Sequence, residues 1–234
     1  MRPRTAVMRS AMDGTTEAGD EGAMSLSSDA KKLWHAALAL NRAAAAVSPR
    51  IAGLPPLLFF TDPLRTPRPW ETAGRLPAGA VVVYRHFGAP NAAETAARMR
   101  DVTREAGVRL LIGLDEVLAE AASADGVHLP EPALNRAAAL KAAHPDWIVT
   151  GAAHGPVDGI EALDAMVLSP VFAAGGASSV RSPLGLEGFS ALAAKLGRPV
   201  YALGGINVEN AASLLGCGAC GIAGVDGIVA AFGP

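Results

Sequence analysis

The sequence predicts an α/β chain closed into a (β/α)8 TIM barrel behind an N-terminal helical extension. Three observations predict it: eight short apolar runs, Ala/Leu/Glu-rich helical stretches between most of them, and 234 residues, enough for one full-sized domain. The runs occupy residues 57–61, 80–86, 108–113, 126–129, 147–151, 165–171, 200–203 and 219–223. The helical stretches fall at 92–106, 132–143, 186–196 and 208–215. Parallel neighbours need crossover connections, so this alternation selects a parallel sheet. Closed on itself, that sheet is a barrel, and residues 57–232 are compact against the usual ~250. An open doubly wound sheet uses the same alternation, and periodicity alone does not separate the two.

Taken in order, residues 1–28 carry Gly, Ser, Thr, Asp and Glu without periodicity, and no apolar stretch follows Arg2 and Arg4. They read as a disordered tail, neither a signal peptide nor a folded element, with Met24 as an alternative start. Residues 29–56 read as a helix and linker. Ser28 or Asp29 caps a helix to about Val47, with Leu33, Ala36, Ala37, Leu40 and Ala44 on one face. Pro49 and the Pro55-Pro56 pair end it. The barrel spans 57–234. Its first crossover, 62–79, carries Pro63, Pro67, Pro69 and Pro77 and reads as a degenerate helix.

Composition narrows the function classes. Half of the residues are apolar and 18% are charged, so a large buried core is available. No apolar run approaches the ~18 residues of a membrane-spanning helix, which argues against a membrane partner. Twenty Lys+Arg against 22 Asp+Glu give a net charge of −2, too little positive charge to track a nucleic-acid backbone. Two cysteines are too few for a disulfide framework. The expectation is a soluble, cytoplasmic domain. Cys217-Gly218-Ala219-Cys220 has redox-motif spacing, but it enters a strand from a helix, the reverse of the order that lowers a thiol pKa. It reads as small buried residues at a tight turn.

In a barrel of this kind, chemistry sits where strands end and loops begin. Gly204-Gly205 closes the seventh strand ahead of a helix capped by Asn207, an arrangement suited to an anion; a turn needing positive φ is the plainer alternative. The eighth strand ends in Gly224-Val225-Asp226-Gly227, and the loops after strands seven and eight form the usual phosphate cradle. The glycine-rich segment 173–183 reads as a lid or as a solvated loop, and Arg181 could reach an anionic substrate from it. His35 and His144 fall on helices and read as solvated.

Several segments in their order along the chain resemble one family: FTDP at 60–63, ADGVHL at 124–129, SPVF at 169–172, PLGLEG at 183–188 and LGGINVENA at 203–211. Together they resemble the thiamine phosphate synthase/TenI superfamily from about Leu57 to Phe232. The resemblance implies a (β/α)8 barrel, a small-molecule partner such as a phosphorylated thiazole or thiamine phosphate, and a homo-oligomer.

The departures choose between the branches of that superfamily. Synthases join a pyrimidine diphosphate to a thiazole phosphate and expel pyrophosphate, which calls for Mg²⁺, carboxylates to hold it, and cations on the diphosphate. The family's Gln-x-Arg-x-Lys is here Val83, Arg85 and Phe87. Its Asn-Asp falls on Gly113 and Leu114, and its Gly-Gln-x-Asp on Pro130-Glu131-Pro132-Ala133. The lid's Thr-x-Thr-Lys is Ala174, Gly175, Gly176 and Ala177. No metal-binding residue is therefore assigned; Mg²⁺ belongs here only if synthase activity is retained, with Asp115, Glu116 and Glu131 as shifted substitutes.

The tautomerase branch needs only an acid/base group and a phosphate cradle, and the resemblance implies that role for His154. The alternative is a loop residue beside Gly155-Pro156. Tautomerase-like proton transfer on a thiazole phosphate-type ligand is accordingly expected ahead of synthase chemistry, with a non-catalytic relative as the third reading. Arg85, His86, His128, Arg181, Gly204, Gly205 and Asp226 are the candidate substrate-binding residues, His128 mainly as a structural histidine of the mouth. Asp226 stands where the family commonly has a serine next to the phosphate. A carboxylate there repels a dianion, so the pocket is expected to take a neutral or cationic group unless Asp226 is protonated or turned away.

Overall fold

Side chains of successive strand residues point to opposite faces, and this alternation sorts the apolar runs into two cores. The computed structural model describes residues 26–175 and 180–234; residues 1–25 of the expected tail at 1–28 and the middle of the 173–183 segment lie outside them, while Ser28, expected in the tail, already opens the first helix. Eight parallel strands close in chain order, each paired with the next and β8 with β1. They are β1 (Leu57–Phe60), β2 (Val81–Tyr84), β3 (Arg109–Gly113), β4 (Gly126–Leu129), β5 (Ile148–Ala153), β6 (Ala165–Leu168), β7 (Val200–Leu203) and β8 (Gly221–Gly224). Closure excludes the open doubly wound alternative.

Inside the barrel, Leu58, Phe60, Val81, Val83, Leu111, Ala165, Val167, Tyr201 and Ala223 form one buried cluster. Their alternate neighbours Leu57, Phe59, Val82, Leu110, Ile112, Val127 and Met166 belong to a second, larger cluster beneath the helices. The strands are buried on both faces, which is why they read as continuous apolar runs.

The helices are α1 (Ser28–Val47), α2 (Pro69–Ala73), α3 (Ala92–Glu105), α4 (Glu116–Ala121), α5 (Ala137–Ala143), α6 (Gly185–Leu196) and α7 (Asp226–Phe232). Ser27, one residue earlier than expected, caps α1, its Oγ accepting from the Ala30 N–H at 3.0 Å. The stripe Ala30, Leu33, Ala37 and Leu40 packs over the β8–β1 seam. Asn41 Nδ2 donates to the carbonyls of Leu54 and Cys220 at 3.2 and 3.1 Å and ties this helix to the barrel's N-terminal end.

Two expected helices are altered. Residues 208–215 yield only a four-residue 3-10 turn, Ala211–Leu214, so no helix N-terminus stands behind Gly204-Gly205. Asn207 instead folds its own loop, its Oδ1 accepting from the Glu209 and Asn210 N–H groups, both at 3.1 Å. The stretch 132–143 begins as a 3-10 turn at Glu131–Arg136, because Pro132 supplies no N–H, and becomes helical only as α5. The first crossover is degenerate as expected, with α2 its five-residue remnant. His144 is not simply solvated: its ring stacks on Trp147 at 3.7 Å and pairs with Glu120 at 3.1 Å.

Candidate ligand-binding and active site

The residues expected to bind or act all line the C-terminal mouth of the barrel. Two adjoining cavities open there. One, about 330 Å3, is lined by Asp62, Arg65, Gly204, Gly205, Asp226 and Gly227 among others. The second, about 770 Å3, has mainly apolar walls and carries His86, Asp115, His128, His154 and Arg181. Phe60, Arg85, Phe87 and Leu203 line both and form the partition between them.

Arg85 follows β2 and is fixed from below. Its N–H donates to Thr61 Oγ1 at 2.9 Å and its Nε to the Thr61 carbonyl at 2.8 Å. The guanidinium lies 5.3 Å from the ring centroids of both Phe60 and Phe87. Burial lowers its pKa to about 10, which still leaves a full positive charge at neutral pH. The adjacent Phe87 and, after the neighbouring strand β3, Leu114 adopt left-handed backbone with φ of 47° and 65°, and both are exposed at the cavity rim. For bulky side chains that conformation is costly, and such strain concentrates at functional mouths.

Two histidines of the larger cavity are held by carboxylates. His154, just past β5, shares Glu131 Oε2 with its own backbone: the N–H donates at 2.9 Å and Nδ1 at 2.8 Å. A carboxylate only accepts, so Nδ1 carries the proton and Nε2 is left as the ring's base. His86 accepts the Gly88 N–H at Nδ1 (3.1 Å), which puts its proton on Nε2, facing Asp115 Oδ2 at 3.3 Å. His128 is different. It is buried in β4, hydrogen-bonded to Thr150 Oγ1 at 2.9 Å, and packed edge-on to Phe60. Burial first and the Arg85 charge second push its pKa down to about 3, so it is neutral at physiological pH.

The glycine pair owes its identity to crowding. Gly204 and Gly205 have φ of +106° and +65°; a Cβ on Gly204 would lie 2.7 Å from Pro170 Cβ, and one on Gly205 2.4 Å from the Ala173 carbonyl oxygen. The turn reading of this pair therefore holds, and it brings the loop after β6 against the smaller cavity. Arg181 is exposed at the outer edge of the larger one.

Asp226 is not turned away from the mouth: Arg65 Nη1 donates to its Oδ2 at 2.9 Å. Sequence reading missed Arg65, as well as Glu131 and Asp115 as histidine partners. The signal for Arg65 lay in Asp62-Pro63-Leu64-Arg65-Thr66, where an aspartate followed by proline starts a tight turn. The 161-residue separation of the pair in sequence hid its partner.

The donor set does not fit Mg²⁺. Leu114 and Ala133 stand where the family resemblance puts its two aspartates. Asp115 is engaged by His86 and by capping Leu118 N (2.9 Å), Glu131 by His154, and Glu116 by Arg136. Among the described residues no cluster of three or more His, Cys, Asp or Glu could hold a metal ion. Cys217 and Cys220 are free and buried, and burial pushes the Cys220 thiol up to about 12. They are inert packing residues, as expected.

No helix among the described residues is long and apolar enough to cross a membrane. A family model described as thiamine monophosphate synthase matches residues 72–228. The thiamine-phosphate synthase of Chloroflexus aurantiacus is 35% identical over 160 residues, covering 65% of this chain and 74% of that protein. That of Moorella thermoacetica is 30% identical over 166 residues, 68% and 79%. The solved thiamine phosphate pyrophosphorylase of Pyrococcus furiosus superposes with a TM-score of 0.63 at 25% identity, over 80% of this chain and 95% of that one. A barrel mouth of this geometry and a match over most of the barrel lead to one assignment: the chain belongs to the thiamine phosphate synthase family.

Proposed function

We propose that the mouth binds thiamine phosphate and the halves from which it is made, and that the chain joins a pyrimidine diphosphate to a thiazole phosphate, as its relatives' names imply. The observation that carries this reading is the pair of cavities sharing one wall. A ligand with a phosphate end and a heterocyclic end needs a small polar compartment continuous with a larger apolar one. Arg85 stands in the partition, where a permanent cation touches groups in both. In the joining step a ring nitrogen of the thiazole bonds to the pyrimidine's methylene carbon as the carbon–oxygen bond to the diphosphate breaks. The departing negative charge would face the guanidiniums of Arg85 and Arg181, protein cations that would take over from the metal complex the family uses.

A second reading, proton transfer on a thiazole carboxylate phosphate, is favoured by one observation. The Glu131–His154 pair fixes the imidazole through Nδ1 and leaves Nε2, on a ring lining the apolar cavity, free of that contact to serve as a base. Among relatives named as synthases it takes second place. The test incubates the full chain with thiazole phosphate and pyrimidine diphosphate, with Mg²⁺ or with a chelator, and follows thiamine phosphate and pyrophosphate. Product in either condition supports the first reading. Isomerisation of the thiazole carboxylate phosphate without joining replaces it with the second. Neither reaction, together with no thermal shift from thiamine phosphate, thiazole phosphate or pyrophosphate, overturns both.

A further inference from the structure

The segment after β1 does no helical work, yet it is tightly organised around one side chain. Asp62 Oδ1 accepts from the Leu64 and Arg65 N–H groups at 3.0 and 3.1 Å. Thr66 closes the turn: its Oγ1 accepts from the Asp62 N–H at 2.7 Å and donates to the Asp62 carbonyl at 2.8 Å. The same Asp62, through Oδ2, holds Arg65 Nη2 at 3.3 Å, while Arg65 Nη1 reaches Asp226 Oδ2 at 2.9 Å. The result is a preorganised guanidinium on the wall of the smaller cavity, facing Gly204 and Gly205.

The two carboxylates on Arg65 are not equivalent. Asp62 is 21% exposed and built into the turn, and its backbone and Arg65 hydrogen bonds hold its carboxyl below the usual range despite burial, so it stays ionised. Asp226 is 62% exposed, and among the described residues this is its only side-chain hydrogen bond. Exposed ion pairs of that kind are weak, because water solvates the freed carboxylate well. A phosphate, by contrast, matches the guanidinium fork with two charge-assisted hydrogen bonds. Arg65 Nε is buried without an acceptor among the described residues, so the pairing seen there does not saturate the side chain.

Resting on the reading of the mouth as a thiamine phosphate site, we infer that Arg65 is the residue that takes the ligand's phosphate. Asp226 is then a resident carboxylate that occupies Arg65 in the empty protein and gives it up on binding. The aspartate that sequence alone sets against a phosphate thus becomes a competitor that sets the affinity and excludes weaker anions. The cavity does not select a neutral or cationic group.

The test is calorimetry on the full chain with thiamine phosphate, thiamine and inorganic phosphate. Asp226→Asn, which keeps the shape and removes the charge, tightens thiamine phosphate by about two- to fivefold. Arg65→Gln weakens it by about tenfold or more and leaves thiamine unchanged. In Arg65→Gln the gain from Asp226→Asn disappears. Arg65→Lys, a milder change should Arg65→Gln fold poorly, retains part of the affinity because the charge remains without the fork. A gain that is absent, or that persists without Arg65, overturns the inference while wild-type binding of thiamine phosphate leaves the site assignment intact. Equal wild-type affinity for thiamine and thiamine phosphate also overturns it. If neither wild type nor Asp226→Asn binds thiamine phosphate, the reading of the mouth falls, and the inference with it.

Discussion

The two ends of the barrel are built from different interactions. At the N-terminal end the polar groups are tied into strand and loop backbone: Tyr201, completely buried, donates its hydroxyl to the Pro55 carbonyl at 2.6 Å, Asn41 bridges two backbone carbonyls, and the ion-paired Asp125 and Asp164 accept from the strand N–H groups of Leu110 and Val149 at 2.7 and 2.8 Å. At the C-terminal end the side chains pair with one another and stay partly exposed, in the ion pairs Arg65–Asp226 and Arg136–Glu116 and the histidine–carboxylate pairs His86–Asp115 and His154–Glu131. Phe87, Leu114 and Val117 are left outward beside them. The difference teaches where this chain invests in stability and where it keeps side chains available. Hydrogen bonds buried against strand backbone hold a core together, whereas exposed ion pairs contribute little to folding but leave charges free to exchange partners.

That division can be broken most sharply at Tyr201. Tyr201→Ala removes a large, fully buried side chain and is expected to cost about 4 kcal/mol in chemical denaturation. Thiamine phosphate affinity of the folded fraction should stay unchanged; a parallel loss would mean that the two ends are coupled. Gly205→Ala is the exception expected at the mouth. Its left-handed backbone and the Ala173 carbonyl at 2.4 Å predict a loss of roughly 2–3 kcal/mol together with weaker ligand binding.

A pH series sharpens the comparison further. His128 is protonated in the unfolded chain below about 6.5 but stays neutral in the fold until about 3. Between those values the unfolded state binds the extra proton, so stability falls as pH drops, by about 2 kcal/mol from pH 7 to pH 5. His128→Gln should flatten that part of the curve in denaturant titrations. The smallest effect on stability belongs to His154→Gln, expected within about 0.5 kcal/mol of wild type by thermal melting. If His154 moves a proton, turnover in the same variant drops by about a hundredfold or more. A stability loss without a rate loss would assign it to structure.

How much of this was legible beforehand depends on the range of the interaction. The strands were readable because burial on both faces writes them as apolar runs. β4 (Gly126–Leu129) and β7 (Val200–Leu203) end where the runs end. The stretch at 208–215 was not, since its apolar residues allow a helix but packing leaves only a four-residue turn. For the mouth, strand-end logic found Arg85, His86, His128, His154, Gly204, Gly205 and Asp226 one at a time. Their partners escaped it, because Glu131 and Asp115 reach their histidines across neighbouring strands.

By itself, then, the sequence determined which segments become strands, that the sheet is parallel, and which chemical groups are available at the strand ends. Hydrophobic periodicity and crossover length are local properties, and they act before any distant contact forms. Only the closed barrel decided what those groups do. Closure at the β8–β1 seam carries Asp226 to Arg65, and a carboxylate that would repel a phosphate when alone becomes one half of an exchangeable pair. The meaning of a charge depends on its nearest countercharge, and here the countercharge is set by the return of the last strand to the first.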